Sequence, residues 1–212
     1  MIDPNEYVIT RKRKKYKFAK FANSSLCFEF DNWQKQSVDV IEVGAGTGLF
    51  SVELATRHPE HSFVAMDVKA DRLQKGAYEA EERGLTNIRF LRARADQMNE
   101  SFEPHSVGTI WLTFADPFPK KRSTGRRMSH PTFLQIYANL LKDHGSFILK
   151  HDSPEFFSWS LEQLVGEKWH LEELSFDLHE SSLSEDYKIM TTYEKKWTDE
   201  GSAINLVRAI SV

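Results

Sequence analysis

Residues 109–122 read TIWLTFADPFPKKR, an apolar run that stops at an acid and continues into two prolines and three cations. A short apolar run rich in β-branched and aromatic residues is typical of a buried strand in a parallel sheet. Asp116 follows this run, so its carboxylate is predicted at the carboxyl edge of the sheet, where open α/β sheets bind their ligands. Pro117 and Pro119 stiffen the turn that follows. The stretch therefore predicts an α/β fold with a site at Asp116.

Basic residues follow this acid closely, and they are Lys120, Lys121, Arg122, Arg126 and Arg127. Lys and Arg side chains bind phosphate groups, so a carboxylate beside such a cluster predicts chemistry on a substrate that carries phosphates. The alternative is a proline-rich turn followed by a solvated basic loop.

The rest of the chain alternates strand and helix patterns with short connections. Strands are predicted at residues 38–43, 62–67, 87–91, 109–114, 146–150, 169–174 and 204–212, and helices at 49–57, 70–83, 131–141 and from residue 153 onward. This alternation predicts a doubly wound, mostly parallel sheet with helices on both faces. Residues 36–212 are predicted to form one domain, preceded by a basic N-terminal arm and lead-in over residues 1–35.

Length and composition narrow the class of protein. A chain of 212 residues suits one α/β domain. It contains no run of about 18 apolar residues that would predict a membrane span. No secretory signal is visible, and Cys27 is the only cysteine, so no internal disulfide is expected. No Cys/His cluster has the spacing of zinc ligands. We expect a cytoplasmic protein without a metal, either a monomer or a homodimer.

The formal charge of −3 hides an uneven distribution. Residues 11–20 hold seven basic residues and no acid, and residues 120–127 hold five basic residues and no acid. Concentrated basic segments on an otherwise acidic chain indicate a nucleic-acid partner. Residues 11–18 also contain Tyr16 and Phe18, a composition suited to binding phosphates and stacking on bases. A disordered basic tail has the same composition.

A glycine-rich loop, residues 44–48, follows the strand at 38–43 and precedes a helix, as expected of a nucleotide-binding turn. Glu42 stands two residues before Gly44, where its carboxylate would repel a pyrophosphate at the helix N-terminus. It favours a ligand with a cationic end, such as S-adenosylmethionine. Asp67 ends the next strand, where an acid binds ribose hydroxyls. The alternatives are a tight turn for Gly44 and Gly46 and a solvated acid for Asp67.

The chain closely resembles a known family. Residues 116–122 with Arg126 and Arg127 resemble the signature of the bacterial tRNA (guanine-N7)-methyltransferases, and residues 42–48 resemble motif I of class I methyltransferases. The resemblance implies a Rossmann-like fold, S-adenosylmethionine as cofactor, and methyl transfer to N7 of a guanosine in the variable loop of tRNA. A small-molecule methyltransferase and a non-catalytic RNA-binding protein on a methyltransferase fold are the alternatives.

The resemblance also implies roles for individual residues. Asp116 is the active-site acid and lies next to the cofactor, and Lys120, Asp152, Thr191 and Glu194 bind the substrate. Capping of a helix or turn is the alternative for the last three. Lys121, Arg122, Arg126 and Arg127 are expected to bind RNA.

Two segments depart from the family pattern. Where the family usually has an acid near adenine, this chain has Arg94, so Asp96 is expected to bind the adenine, with backbone groups of the same loop as the alternative. In the basic loop, Ser123 and Gly125 replace the usual His and Lys. The reaction class is therefore better supported than the affinity for RNA.

Overall fold

The computed structural model describes residues 12–211, with side chains from residue 15 onward except those of residues 192 and 196. The strands are β1 (Cys27–Glu29), β2 (Val40–Val43), β3 (Phe63–Asp67), β4 (Ile88–Arg92), β5 (Val107–Thr113), β6 (Leu141–His151), β7 (His170–Ser175) and β8 (Asn205–Ile210). The helices are α1 (Lys12–Asn23), α2 (Leu49–Arg57), α3 (Ala70–Glu82), α4 (Met98–Ser101), α5 (Pro131–Leu140), α6 (Pro154–Gly166) and α7 (Thr192–Asp199).

The eight strands form one sheet in the order β1-β4-β3-β2-β5-β6-β8-β7. Neighbours from β1 to β6 are parallel, whereas β8 is antiparallel to both β6 and β7. The predicted mostly parallel α/β sheet is confirmed. From β2 the chain builds towards β3 and β4 on one side and later towards β5 and β6 on the other. Ligands bind outside the carboxyl ends of the strands at such a change of direction.

Each face of the sheet has its own hydrophobic core. On β3, Val64 and Met66 belong to one cluster, which also contains Tyr137 of α5, and Phe63 and Ala65 belong to the other. Successive side chains of a strand point to opposite faces, so a strand covered on both sides is apolar at every position. This accounts for the mostly apolar strand segments that the sequence shows.

The sequence pattern predicts no element over residues 12–29, yet the structure has two there. Helix α1 packs against α3, and β1 adds a parallel strand beside β4 through the register of Cys27 with Phe90. Phe21 of α1 is buried in the core. The first part of the predicted basic arm, residues 1–11, lies outside the described residues, and the domain boundary at residue 35 stays a prediction.

Among the described residues, no helix combines the length and apolar character needed to cross a membrane. Within the same residues, no group of three or more His, Cys, Asp or Glu side chains could hold a metal ion.

Candidate active site

A cleft lies at the carboxyl ends of β2, β3 and β5, where the direction of sheet building changes. It consists of two adjoining cavities of about 190 and 280 Å³ that share Gly44, Arg72 and Phe114 in their walls. Six of the residues predicted from the sequence line it, and they are Glu42, Gly44, Gly46, Asp67, Asp116 and Thr191. Residues that are far apart in the sequence therefore meet where the topology predicts a ligand.

The glycine loop adopts a backbone conformation that L side chains rarely take. Gly44 has φ 70° and Gly46 has φ 57°, both in the left-handed region. A Cβ atom on Gly44 would lie 2.7 Å from the Met128 methyl carbon, whereas a Cβ on Gly46 would meet nothing within 4 Å. The backbone is thus tightly packed at Gly44 and open at Gly46. This arrangement leaves room for a ligand to approach the main chain.

Glu42 is almost completely buried at the end of β2. Its two carboxylate oxygens accept hydrogen bonds of 2.6 Å from the hydroxyls of Ser51 and Thr113. Burial raises the pKa of Glu42 to about 7, although these hydrogen bonds oppose the rise and Asp67 adds to it. Because the carboxyl group titrates near neutrality, a cationic group bound beside it would favour the ionised form.

Two backbone N–H groups hold the Asp67 carboxylate in place. Its Oδ2 accepts a hydrogen bond of 2.9 Å from the Gly46 N–H, and its Oδ1 accepts one of 2.8 Å from the Lys69 N–H. A carboxylate has about four lone-pair sites, so each oxygen can accept a further hydrogen bond. The orientation of Asp67 therefore suits a ligand with neighbouring hydroxyl groups.

Asp116 is exposed and lines the cleft directly after β5. The residues after it form an exposed basic 3₁₀ segment, Lys121–Arg126. Of the cations predicted to bind RNA, Lys121, Arg122 and Arg126 are exposed, as is Lys120, predicted to bind the substrate. Arg127 differs, because it is only 5% exposed and its guanidinium donates hydrogen bonds to backbone carbonyls.

A buried ion pair supports the wall of the cleft that contains Thr191 and Tyr193. The Glu194 carboxylate is fully buried, and its Oε1 lies 2.7 Å from Lys150 Nζ and 2.9 Å from His179 Nε2. Lys150 also donates hydrogen bonds of 2.8 Å to the carbonyls of Tyr187 and Ile189. Burial lowers the pKa of Lys150, and Glu194 opposes that change. These contacts join β6, the segment before α7 and α7 itself.

Thr191 and Glu194 cap helix α7 reciprocally. Thr191 Oγ1 accepts from the Glu194 N–H at 3.0 Å, and Glu194 Oε2 accepts from the Thr191 N–H at 3.1 Å. Thr191 lines the cleft, whereas Glu194 lies beneath it. The capping alternative thus accounts for the hydrogen bonds between these two residues. Their role in binding the substrate stays a prediction.

Other predicted residues lie outside the lining of the cleft. Asp96 forms an exposed ion pair with Arg94, with distances of 2.9 and 2.6 Å, while Ala95 between them lines the cleft. Asp152 is partly buried and accepts a hydrogen bond of 3.3 Å from the Tyr193 hydroxyl. Ser153, not Asp152, caps the start of α6.

Tyr193 and Arg72 also line the cleft, and the sequence analysis does not predict either of them as a site residue. Tyr193 lines one cavity, and its ring lies 5.3 Å from that of Phe114. Its position between Thr191 and Glu194 in the sequence could have indicated it. Arg72 of α3 contributes to both cavities. Nothing distinguishes it from other exposed arginines in the sequence.

Comparisons with known proteins agree with this geometry. A model of the family described as "Putative methyltransferase" matches residues 36–207. The tRNA (guanine-N(7)-)-methyltransferase of Brevibacillus brevis is 34% identical over 172 residues, which cover 81% of this chain and 80% of that protein. The protein of the same name from Staphylococcus saprophyticus is 37% identical over 169 residues, or 80% and 79% of the two chains. The chain belongs to the tRNA (guanine-N(7)-)-methyltransferase family.

Solved structures resemble this member of the tRNA (guanine-N(7)-)-methyltransferase family in fold. The 16S rRNA methyltransferase KamB is 19% identical, with a TM-score of 0.61 over 86% of this chain and 90% of that one. A 16S rRNA (adenine(1408)-N(1))-methyltransferase mutant with cosubstrate SAM, from Catenulisporales acidiphilia, is 13% identical, with a TM-score of 0.58 over 100% and 92%. The fold is therefore that of the Rossmann-like class I methyltransferases.

Proposed function

We propose that this protein is a tRNA (guanine-N7)-methyltransferase that uses S-adenosylmethionine and acts on a guanosine in the variable loop of tRNA. The observation that carries the proposal is the exposed carboxylate of Asp116 in the cleft, next to the exposed basic segment Lys121–Arg126. A cofactor cleft with an exposed acid in its lining and a basic surface beside it suits a nucleobase on an RNA strand.

The residues of the cleft fit S-adenosylmethionine, whose chemistry is to supply the methyl group. The open backbone at Gly46 leaves room for the ligand, and Asp67 presents two oriented acceptors to ribose hydroxyls. Buried Glu42 favours a cationic ligand, because ionisation of its carboxyl group is opposed until a positive charge is near. The adenine is assigned to the backbone around Ala95, because Ala95 lines the cleft and the exposed Asp96 does not.

Asp116 is assigned to the target base. Guanine N7 carries an in-plane lone pair and no proton, so the main task of the protein is to hold the base in the correct orientation. The carboxylate accepts hydrogen bonds from the guanine edge and stabilises the positive charge that develops on the ring. Thr191 and Tyr193 form the facing wall of the cleft and help to position the base.

The exposed cations are assigned to the tRNA backbone, and they are Lys120, Lys121, Arg122 and Arg126. Their contacts with phosphates would make tRNA binding steeply dependent on salt. A cytoplasmic location follows from the same proposal, since the substrate would be cellular tRNA, and the monomeric or homodimeric state stays a prediction.

The test is methyl transfer from radiolabelled S-adenosylmethionine to unmodified tRNA transcripts. A control transcript has adenosine in place of the variable-loop guanosine. We expect label in the first transcript and none in the second. Equal label in both would move the target to another base, and no label in either would refute the proposed substrate.

The variant Asp116→Asn tests the assigned acid. It is expected to lower kcat by about 10²-fold, because the carboxylate charge that stabilises the cationic ring is lost. Calorimetry should find the affinity for S-adenosylmethionine within about twofold of the wild type, since the amide preserves the shape of the side chain. An unchanged kcat would remove Asp116 from the mechanism.

A further inference from the structure

The turn that carries Asp116 has an unusual backbone. Phe114 has φ 49° and Phe118 has φ 40°, so a bulky residue on each side of the acid lies in the left-handed region. This conformation is unfavourable for aromatic side chains and persists only where the surrounding structure imposes it. The position of the Asp116 carboxylate therefore depends on whatever holds this turn.

Buried side chains bind the carbonyls on both sides of Asp116. His151 Nε2 lies 2.9 Å from the carbonyl oxygen of Ala115, and His151 Nδ1 accepts a hydrogen bond of 2.8 Å from the Ser153 N–H. These partners assign the ring proton to Nε2. On the other side, Arg127 Nε donates to the Pro117 carbonyl at 2.9 Å.

Arg127 is built into the protein in a way that the neighbouring Arg126 is not. Its guanidinium carbon lies 4.4 Å from the centre of the Trp159 ring and 5.8 Å from that of Phe156. A second hydrogen bond, of 3.3 Å, runs from Arg127 Nη2 to the Phe118 carbonyl. Arg126 is exposed, with its guanidinium 4.6 Å from the Phe118 ring. Only one of these adjacent arginines therefore presents its charge to solvent.

The packing also connects the two groups that bind these carbonyls. The Phe156 ring lies 4.5 Å from the His151 ring and contacts the Arg127 guanidinium as well. A guanidinium group can stack on an aromatic ring with its flat face while its N–H groups donate hydrogen bonds in its own plane, which an ammonium group cannot do. Arg127 and His151, together called the carbonyl-binding pair, thus share one aromatic support from α6.

We propose that Arg127 is a positioning residue and not an RNA contact, and that the carbonyl-binding pair sets the place of the Asp116 carboxylate in the cleft. The proposal rests on the function proposed above. Loss of Arg127 then releases the turn and misplaces the acid relative to the base. A displacement of about 1 Å in a catalytic group lowers the rate about 10²-fold, even when binding is intact.

The experiment compares Arg127→Met with the matched variant Arg126→Met. The affinity for tRNA is measured over a range of salt concentrations, and kcat is measured at saturating tRNA and S-adenosylmethionine. For Arg127→Met we expect kcat to fall at least about tenfold while the slope of log affinity against log salt stays that of the wild type. For Arg126→Met we expect weaker binding and a slope smaller by about one.

The variant Arg127→Lys separates charge from geometry. It keeps the positive charge but cannot bind both carbonyls while stacking on Trp159. The proposal predicts a kcat close to that of Arg127→Met, and a phosphate contact predicts wild-type activity. If the melting curve of Arg127→Met shows that this variant does not fold, Arg127→Lys serves as the test variant instead. A reduced salt slope with unchanged kcat in either variant would overturn the proposal.

Hydrogen exchange gives a readout that does not need tRNA. Peptides covering residues 114–126 should exchange faster in Arg127→Met and Arg127→Lys than in the wild type or Arg126→Met. Unchanged exchange in the Arg127 variants would contradict the positioning role. If the wild type methylates no tRNA, the proposed function fails, and the exchange data still decide whether Arg127 holds the turn.

Discussion

Replacing Glu42 by Gln should change how the stability of the protein depends on pH. The buried carboxyl group has a pKa of about 7 in the folded protein, against 4.5 for an ordinary glutamate. Because the pKa is raised on folding, the folded state binds this proton more tightly than the unfolded state. The stabilisation from Glu42 is fully present below about pH 4.5 and is lost as pH rises through about 7.

The size of the effect follows from the rise in pKa. At about 1.4 kcal/mol for each pH unit, the rise is worth about 3 kcal/mol in total, of which about 2.5 kcal/mol is lost between about pH 5 and about pH 8. Glutamine has nearly the same shape and can exchange hydrogen bonds with Ser51 and Thr113 through its amide. It carries no titrating proton, so this part of the pH dependence should disappear.

The assay is urea unfolding of the wild type and Glu42→Gln at about pH 5 and about pH 8. The free energy of unfolding of the wild type should fall by about 2 to 3 kcal/mol more than that of the variant between these two conditions. Glu82→Gln, at an exposed position of α3, is the control and should behave as the wild type. Parallel pH profiles for the wild type and Glu42→Gln would refute the raised pKa and the burial argument behind it.

Three further substitutions test other parts of the structure. Gly76→Ala should destabilise the fold by about 1–3 kcal/mol in urea unfolding, although Ala favours helices. The reason is that the added Cβ would lie 2.3 Å from the Thr47 carbonyl oxygen. Gly166→Ala is the control, because a Cβ added there meets nothing within 4 Å. Lys150→Met should cost about 3–5 kcal/mol, because the buried Glu194 carboxylate loses the Lys150 ammonium that lies 2.7 Å from it. Adding Glu194→Gln should restore part of the loss, and equal stability of the single and double variants would contradict this. Asp67→Asn should weaken S-adenosylmethionine binding at least about tenfold in calorimetry, since its amide nitrogen must face a backbone N–H donor, while tRNA affinity stays unchanged.

Much of the fold follows from the sequence because the sheet is covered on both faces. The mostly apolar segments that become β2, β3 and β5 end at Val43, Asp67 and Thr113, and parallel strands bring these ends to one edge. The α1–β1 region is different. A three-residue strand has no recognisable period, and the many cations of α1 conceal the apolar side on which Phe21 is buried.

The place of a residue in the cleft was predictable wherever it follows from a strand end or a loop, as it does for Glu42, Gly44 and Asp67. It was not predictable where burial decides the role of a charge. Arg127 and Arg126 are adjacent in the sequence, but of the two only Arg127 packs on Trp159. Trp159 lies on α6, beyond α5 and β6 in the sequence. The charge of Glu194 is likewise matched by Lys150 on a distant strand. Composition and local spacing carry no information about such partners.

The position of β8 between β6 and β7 has a consequence for synthesis on the ribosome. Residues 170–175 emerge well before residues 205–210, yet within residues 12–211 β7 pairs with no strand other than β8. Until Asn205–Ile210 is available, one side of β6 stays unpaired and open to other chains. Most of the parallel sheet can form during translation, but β6 and β7 must wait for β8. A stalled nascent chain that lacks residues 205–210 should therefore recruit chaperones and be cleaved readily after β6.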